Sequence, residues 1–273
     1  MLKQCVENVK TKTPLIHNIT NYVTVNDVAN VILASGGSPI MSDEIDEMIE
    51  ITTICNGLNI NIGTLNKKSI EAMFVAGKQA NRLGNVIVMD PVGAGASKLR
   101  TDVARQLMTE LKIDVIRGNM SEIKTLALGS GSTKGVDVDV ADAITKDTLE
   151  EAIIFVKKFA KKAGSIIAIT GEIDLVSDGE RCFVIRNGRT EMGRITGTGC
   201  QLSGLLTTFV AANKGQELEA TATAVCMMGR AGEMGYDALQ AGEGNATYRN
   251  RIIDAIYNMS GDLLEKGARY EMR

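Results

Sequence analysis

The sharpest chemical signal in the chain is the run ITGTGCQLSG at 195–204, where Gly197 and Gly199 bracket Thr198 and an apolar helical stretch begins at once. Two glycines let the backbone approach an anion closely, and the amides of a first helical turn, with the helix dipole, stabilise negative charge there. The pattern suits a phosphate cradle, and serves equally as a tight turn feeding a helix. It is not a Walker A loop, because the Lys-Ser/Thr pair is missing, and the third glycine of a dinucleotide fingerprint does not follow at the right distance. Cys200 falls in the first turn of the same helix, where the dipole lowers a thiol pKa from its usual ~8.5. A poised cysteine is the functional reading; a small, inert, buried hydrophobe is the bland one.

Three further segments, and a set of residues at strand ends, carry usable groups. The apolar run 86–89 ends on Asp90, followed by another glycine-rich turn, PVGAGA, so a carboxylate stands at a strand tip where a hard cation carrying phosphates would fit. Asn119-Met-Ser-Glu122 opens a helix with spacing that turns Asn119 and Glu122 to one side, and also matches a capping box that needs no metal. His17-Asn-Ile-Thr-Asn21-Tyr-Val23 offers side-chain amides and hydroxyls for a small polar ligand, or an ordinary helix N-cap. Met41, Gly63, Asp90, Arg117 and Thr170 each lie at the carboxyl end of an expected strand or just beyond it. A thioether, a bare backbone, a carboxylate, a guanidinium and a hydroxyl would therefore share one rim, because ligands in open parallel sheets bind beyond the strand carboxyl ends.

The elements that must position these groups read as strands over 15–18, 38–41, 58–62, 85–90, 114–118 and 165–170, alternating with helical periods over 22–35, 67–83, 98–111 and 145–163. That alternation predicts an α/β fold with a mostly parallel sheet covered by helices on both faces. The segments 173–177 and 181–186 flank Asp178 and Gly179 and predict an appended hairpin. From Gly199 onward the chain is expected to be helical, in three segments broken near Gly215 and Gly244. No linker, repeat or low-complexity tract divides the chain, so residues 1–273 are expected to form one domain.

Composition removes several classes. Thirty Lys plus Arg against 33 Asp plus Glu, mixed along the chain, leave a net charge of −3 and no basic face for nucleic acid. No apolar run approaches the ~20 residues of a bilayer crossing, and the first 20 residues lack the apolar core of a signal peptide, so a cytoplasmic protein is expected. Five scattered cysteines without a Cys-x-x-Cys predict reduced thiols. With His17 the only histidine, a His-cluster metal site is impossible, and any metal must be held by oxygen.

Taken together, HNITNYVTVNDVANVILASGGSPIMSDE (17–44), NINIGT (59–64), DPVGAGAS (90–97), VIRGNMSEI (115–123), AITG (168–171) and GTGC (197–200) resemble the hydroxyethylthiazole kinases, in collinear order. The resemblance implies a ribokinase-like three-layer fold and a homotrimer with active sites at subunit interfaces. It also implies Mg2+- and ATP-dependent phosphorylation of 4-methyl-5-(2-hydroxyethyl)thiazole in thiamine biosynthesis or salvage. By the same resemblance the thiazole contacts map onto Asn21, Val23, Met41, Gly63 and Gly197, and the nucleotide contacts onto Arg117 and Thr170. Asp90 and Glu122 match the magnesium-associated positions, and Cys200 the position beside the reacting hydroxyl. Most members of the wider ribokinase-like superfamily have Asp where Cys200 stands. A ribokinase-like kinase for another small alcohol, such as hydroxymethylpyrimidine or pyridoxal, a dinucleotide-dependent oxidoreductase and a noncatalytic thiazole-binding protein are the alternatives.

Overall fold

The computed structural model describes residues 1–128 and 144–273. Its framework is a nine-stranded sheet in the order β2-β1-β3-β4-β5-β6-β7-β8-β9. The strands are β1 (Leu15–Ile19), β2 (Ser38–Met41), β3 (Gly57–Asn61), β4 (Val86–Asp90), β5 (Val115–Gly118), β6 (Ile166–Ile169), β7 (Asp174–Ser177), β8 (Cys182–Ile185) and β9 (Tyr270–Met272). The first six pair in parallel, and β7 to β9 continue the sheet antiparallel. The helices are α1 (Leu2–Lys12), α2 (Val25–Ser35), α3 (Met48–Ile54), α4 (Lys67–Leu83), α5 (Lys98–Glu110), α6 (Met120–Ala127), α7 (Leu149–Ala163), α8 (Thr198–Ala212), α9 (Glu217–Asp237), α10 (Asn245–Tyr257) and α11 (Gly261–Gly267).

The strands are near-continuous apolar runs because both sheet faces are covered. Alternation along β4 sends Ile87 and Met89 into a core formed with α4, α5, α6 and α7. Val86 and Val88 face the opposite core, built on α1, α8, α9 and α10. Where the same alternation reaches β1 and β3, Leu58 and Ile60 join the first core. The opposite face there carries amides rather than aliphatics: Asn18, Asn59 and Asn61 are at most 2% exposed.

The expected strands, the hairpin and the helices over 67–83 and 98–111 all form, with ends shifted by a residue or two. The helix expected from residue 22 starts instead at Val25, because Asn21 Oδ1 accepts both the Thr24 N–H (3.1 Å) and the Thr24 hydroxyl (3.0 Å), which holds 22–24 as a turn. The helix expected from 145 starts at Leu149. The C-terminal stretch holds four helices rather than three, since the Ser260 hydroxyl caps a further one by accepting the Leu263 N–H, and the chain ends as a strand on β8. α1 and α3 complete the layers. All five cysteines are free and buried. Among the described residues, no helix is long and apolar enough to cross a membrane.

Helix α4 opens on a reciprocal cap, in which Asn66 Oδ1 accepts the Ser69 N–H and Ser69 Oγ accepts the Asn66 N–H, each at 3.0 Å. Asn66→Ala should lower unfolding free energy by about 1 kcal/mol in urea titration with an unchanged m-value, the signature of a lost cap.

Candidate active site

The site grows from a buried polar row that crosses three parallel strands beneath the N-terminus of α8. On β1, Asn18 Oδ1 accepts from Asn59 Nδ2 of β3 at 3.0 Å. Two residues on, the Asn61 side chain lies in register with Asp90 of β4 and donates from Nδ2 to Asp90 Oδ2 at 2.9 Å. Asp90 is fully buried. Its Oδ2 also accepts the Ser203 hydroxyl of α8 (2.8 Å) and faces Arg117 Nη1 of β5 at 3.5 Å. Burial pushes the Asp90 carboxyl above its ordinary pKa, opposed by the Arg117 charge and by the Ser203 and Asn61 hydrogen bonds. Asp90 Oδ1 is buried with no partner.

Arg117 links this row to a cavity of about 480 Å³. Its Nη2 donates to Thr170 Oγ1 at 2.6 Å, and Arg117, Thr170, Thr198, Gly199, Leu202 and Met228 are among the residues lining the cavity. The guanidinium lies against Gly199, where any side chain would overlap it. Gly197 takes the left-handed conformation (φ 84°) that ends the preceding loop, and it packs so closely on Thr24 that a Cβ there would clash. These two glycines thus bring the first turn of α8, with its unpaired amides, to the cavity wall.

Cys200 is buried beside the row, and its sulfur accepts from Asn21 Nδ2 at 3.2 Å. Of the two readings open for Cys200, a dipole-lowered thiol and a buried one, the structure favours the second. Burial, and then the nearby Asp90 charge, raise the thiol pKa, outweighing the Asn61 and Thr24 hydrogen bonds and the Arg117 charge. The surroundings of Cys200 therefore favour the thiol over the thiolate.

The remaining anticipated residues are placed differently from one another. Asn21 and Gly63 join the row: Asn21 Nδ2 and the Gly63 N–H both donate to Asn61 Oδ1, at 3.1 and 2.9 Å. Met41, half-buried at the end of β2, packs with Ile16, Val28, Ile32 and Cys200. Glu122 forms the capping box in full, since Oε2 accepts the Asn119 N–H (2.9 Å) while Oε1 reaches across to the Gly93 N–H (2.8 Å) of the turn after Asp90. Val23 stands apart from the row, 59% exposed, beside Tyr22 at 77%. His17 points to the other face of the sheet, its Nδ1 on Thr52 Oγ1 and Nε2 on the Ser42 carbonyl, with burial lowering its pKa.

Asn61, Ser203 and Asp174 are functional candidates that the sequence reading did not single out. Asn59 and Asn61 alternate with Leu58 and Ile60 in a wholly buried strand, and that placement of two amides was the available signal. Asp174 opens β7 at the cavity wall, 8% exposed, its Oδ1 accepting the Gly171 N–H at 2.9 Å.

The layered sheet and its rim site define the class first. A ribokinase-like superfamily protein from Enterococcus faecalis shares the fold, with TM-score 0.66 at 14% identity over 96% of this chain and 89% of that one. Sequence similarity is then specific: the model of the "Hydroxyethylthiazole kinase family" matches residues 6–262, and the chain belongs to that family. It is 56% identical over 271 residues to a hydroxyethylthiazole kinase of Clostridium acetobutylicum, covering 99% of both chains. A hydroxyethylthiazole kinase of Ruminiclostridium cellulolyticum is 45% identical over 98% of this chain and 96% of its own. A solved hydroxyethylthiazole kinase structure from Pyrococcus horikoshii superposes with TM-score 0.87 at 33% identity, covering 100% and 98% of the two chains.

Asp174 yields a pH test. Burial pushes its pKa up to about 7, against the Gly171 amide and the Arg117 charge. Between about pH 4 and that value the unfolded chain has released a proton that the folded chain retains, so this group's effect is to lower stability as pH rises through the window. Asp174→Asn keeps the Oδ1 acceptor and removes the titration. Relative to wild type, urea unfolding should show the variant gaining a few kcal/mol between pH 4 and 8; a difference independent of pH would refute the assignment.

Proposed function

We propose that this protein transfers the γ-phosphoryl group of ATP to the hydroxyl of 4-methyl-5-(2-hydroxyethyl)thiazole, in thiamine biosynthesis or salvage, with residues 1–273 acting as one cytoplasmic kinase domain. The observation that carries the reading is the place of Arg117. It is a mostly buried cation held by Asp90 and Thr170, laid against the first turn of α8, at the wall of a cavity of about 480 Å³. A guanidinium and a helix N-terminus converging on one cavity form a receptor for phosphates.

In this reading Arg117 and Thr170 hold the nucleotide, and the amides of Gly199 and Cys200 face charge that develops on the transferred group. The thiazole lies over Met41, Gly63 and Gly197, near Val23, with its hydroxyl beside Cys200. The Asn21 amide is committed to Asn61, Cys200 and Thr24, so it shapes this pocket rather than offering a free donor. As the hydroxyl oxygen bonds to the γ-phosphorus, the bond to the bridging oxygen of ADP breaks, and the hydroxyl proton passes late to an oxygen of the transferred phosphoryl group or to water. A loose transition state asks little of a base. That suits a neutral Cys200 thiol, which positions the hydroxyl rather than deprotonating it in advance.

Magnesium fits the oxygen-only donor set. Asp90 Oδ1 is a buried acceptor with no partner, and Glu122 faces the same turn. Among the described residues no group of three or more His, Cys, Asp or Glu could form an all-protein cage. One or two carboxylates with water and phosphate oxygens is how Mg2+ is ordinarily held. When bound, the ion would neutralise phosphate charge.

The exposed Tyr22 and Val23 beside the thiazole pocket support closure of the site by a second copy of the chain, within a homotrimer.

ATP consumption with the thiazole alcohol, with and without magnesium, tests the function directly. Turnover should require both, and should exceed that with hydroxymethylpyrimidine or pyridoxal; preference for either of those alcohols would reassign the substrate. Arg117→Ala should lose ~10²–10³-fold in kcat/KM, as for a deleted transition-state donor. Cys200→Ala should retain measurable turnover, losing less than the ~10²–10⁴-fold that a general base supplies. Equal collapse of both variants would contradict these roles.

A further inference from the structure

Another wall of the cavity is the segment 187–193, which leads into the short 3-10 helix Thr190–Arg194 and is laid on α9. Asn187, Gly188, Arg189 and Met192 line the cavity from that segment, and Val225 and Met228 line it from α9. Nothing in the chemistry above explains how this segment is held against the cavity. The answer lies one helical turn beyond Met228, at Glu233, which does not touch the cavity and is only 6% exposed.

The Glu233 carboxylate ties the start of this wall to α9 and to the chain before β9. Its Oε1 accepts the Gly188 N–H at 3.0 Å, the Asn187 side-chain amide at 3.1 Å and Arg269 Nη2 at 2.7 Å. Its Oε2 accepts Arg230 Nη1 at 2.9 Å. Asn187 is tied a second time to the chain before β9, donating to the Gly267 carbonyl (2.9 Å) and accepting the Arg269 N–H (2.7 Å). The Asn187 backbone rests on Gly229, where a Cβ would overlap it.

We infer that Glu233 is a positioning residue for the nucleotide: it fixes the 187–193 wall on α9 and so sets nucleotide affinity without touching the ligand. This rests on the nucleotide cavity proposed above. The carboxylate suits the task because it accepts four bonds at once, two of them from cations, which a neutral side chain cannot match. Burial alone would raise its pKa, but the Gly188 amide, Arg230, Asn187 and Arg269 hold it below the ordinary value, so the clamp stays charged at neutral pH. Arg117, Asp90 and Cys200 take no part in this network, so the reacting end of the site is mechanically separate.

The test is steady-state kinetics on the full chain, varying ATP and the thiazole alcohol in turn, with Tm for each protein. Glu233→Gln keeps size and shape but loses the charge; it should raise the ATP KM about five- to twentyfold and leave kcat and the alcohol KM within about twofold. Arg269→Met removes, from outside the cavity, the side-chain bonds to Glu233 and to the Arg186 carbonyl, and should move the ATP KM in the same direction by a smaller factor. An unchanged ATP KM in Glu233→Gln overturns the inference, as does a parallel loss in kcat and both KM values, which would mark general loosening. Should Glu233→Gln fail to fold, Arg269→Met decides by the same criterion. Wild-type turnover that does not saturate with ATP would instead defeat the nucleotide-cavity reading, and this inference with it.

Discussion

A carboxylate buried out of reach of water is the constraint around which the rest of this structure is organised. Placing Asp90 at the tip of a central strand costs solvation that only partners can offset. Three are supplied from three elements: an amide from the neighbouring strand, a hydroxyl from the overlying helix and a guanidinium from the next strand. Each partner is fixed by something else in turn. Asn61 is held by Asn21 and the Gly63 amide, Arg117 by Thr170, and Ser203 by its place in α8. The charge therefore aligns β1, β3, β4, β5 and α8 at one edge, and one oxygen of the carboxylate is left without a protein partner.

Two territories meet at that edge. On one side of Arg117 lies the amide row with Cys200, enclosed by α2 and α8; on the other lies the cavity bounded by α9 and the 187–193 segment. Arg117 is the only side chain described here that both pairs with Asp90 and lines the cavity. A phosphoryl donor on one side and a small alcohol on the other would face each other across the first turn of α8. Its glycines keep the backbone accessible. On the proposed reading, the chemistry would depend on charge placement more than on an activated nucleophile.

Much of the framework was legible in the sequence because parallel strands buried on both faces read as short apolar runs, and the glycine-rich turns stand at their carboxyl ends. The carboxylate of Asp90, the guanidinium of Arg117 and the hydroxyl of Thr170 were located by that rule alone, and the structure brings them together. What escaped was of two kinds. α1 and α3 carry few cap signals, and the strand at 270–272 exists only because β8 offers an open edge. Asn61 and Ser203 escaped because their value lies in partners 29 and 113 residues away. For Cys200 the sequence left two readings open, a dipole-poised thiol and a buried one, and burial, invisible in one dimension, favours the second. Glu122 satisfies the cap that its spacing announced, and its carboxylate also reaches the turn after Asp90, so the local and the long-range readings of one residue coexist.

A crystal structure with a non-hydrolysable ATP analogue, magnesium and the thiazole alcohol tests the central claim most directly. The terminal phosphate should lie between Arg117 and the Gly199 and Cys200 amides, the base in the cavity beyond, and the alcohol oxygen beside the Cys200 sulfur. A nucleotide bound elsewhere, with Arg117 still turned only to Asp90 and Thr170, would contradict it.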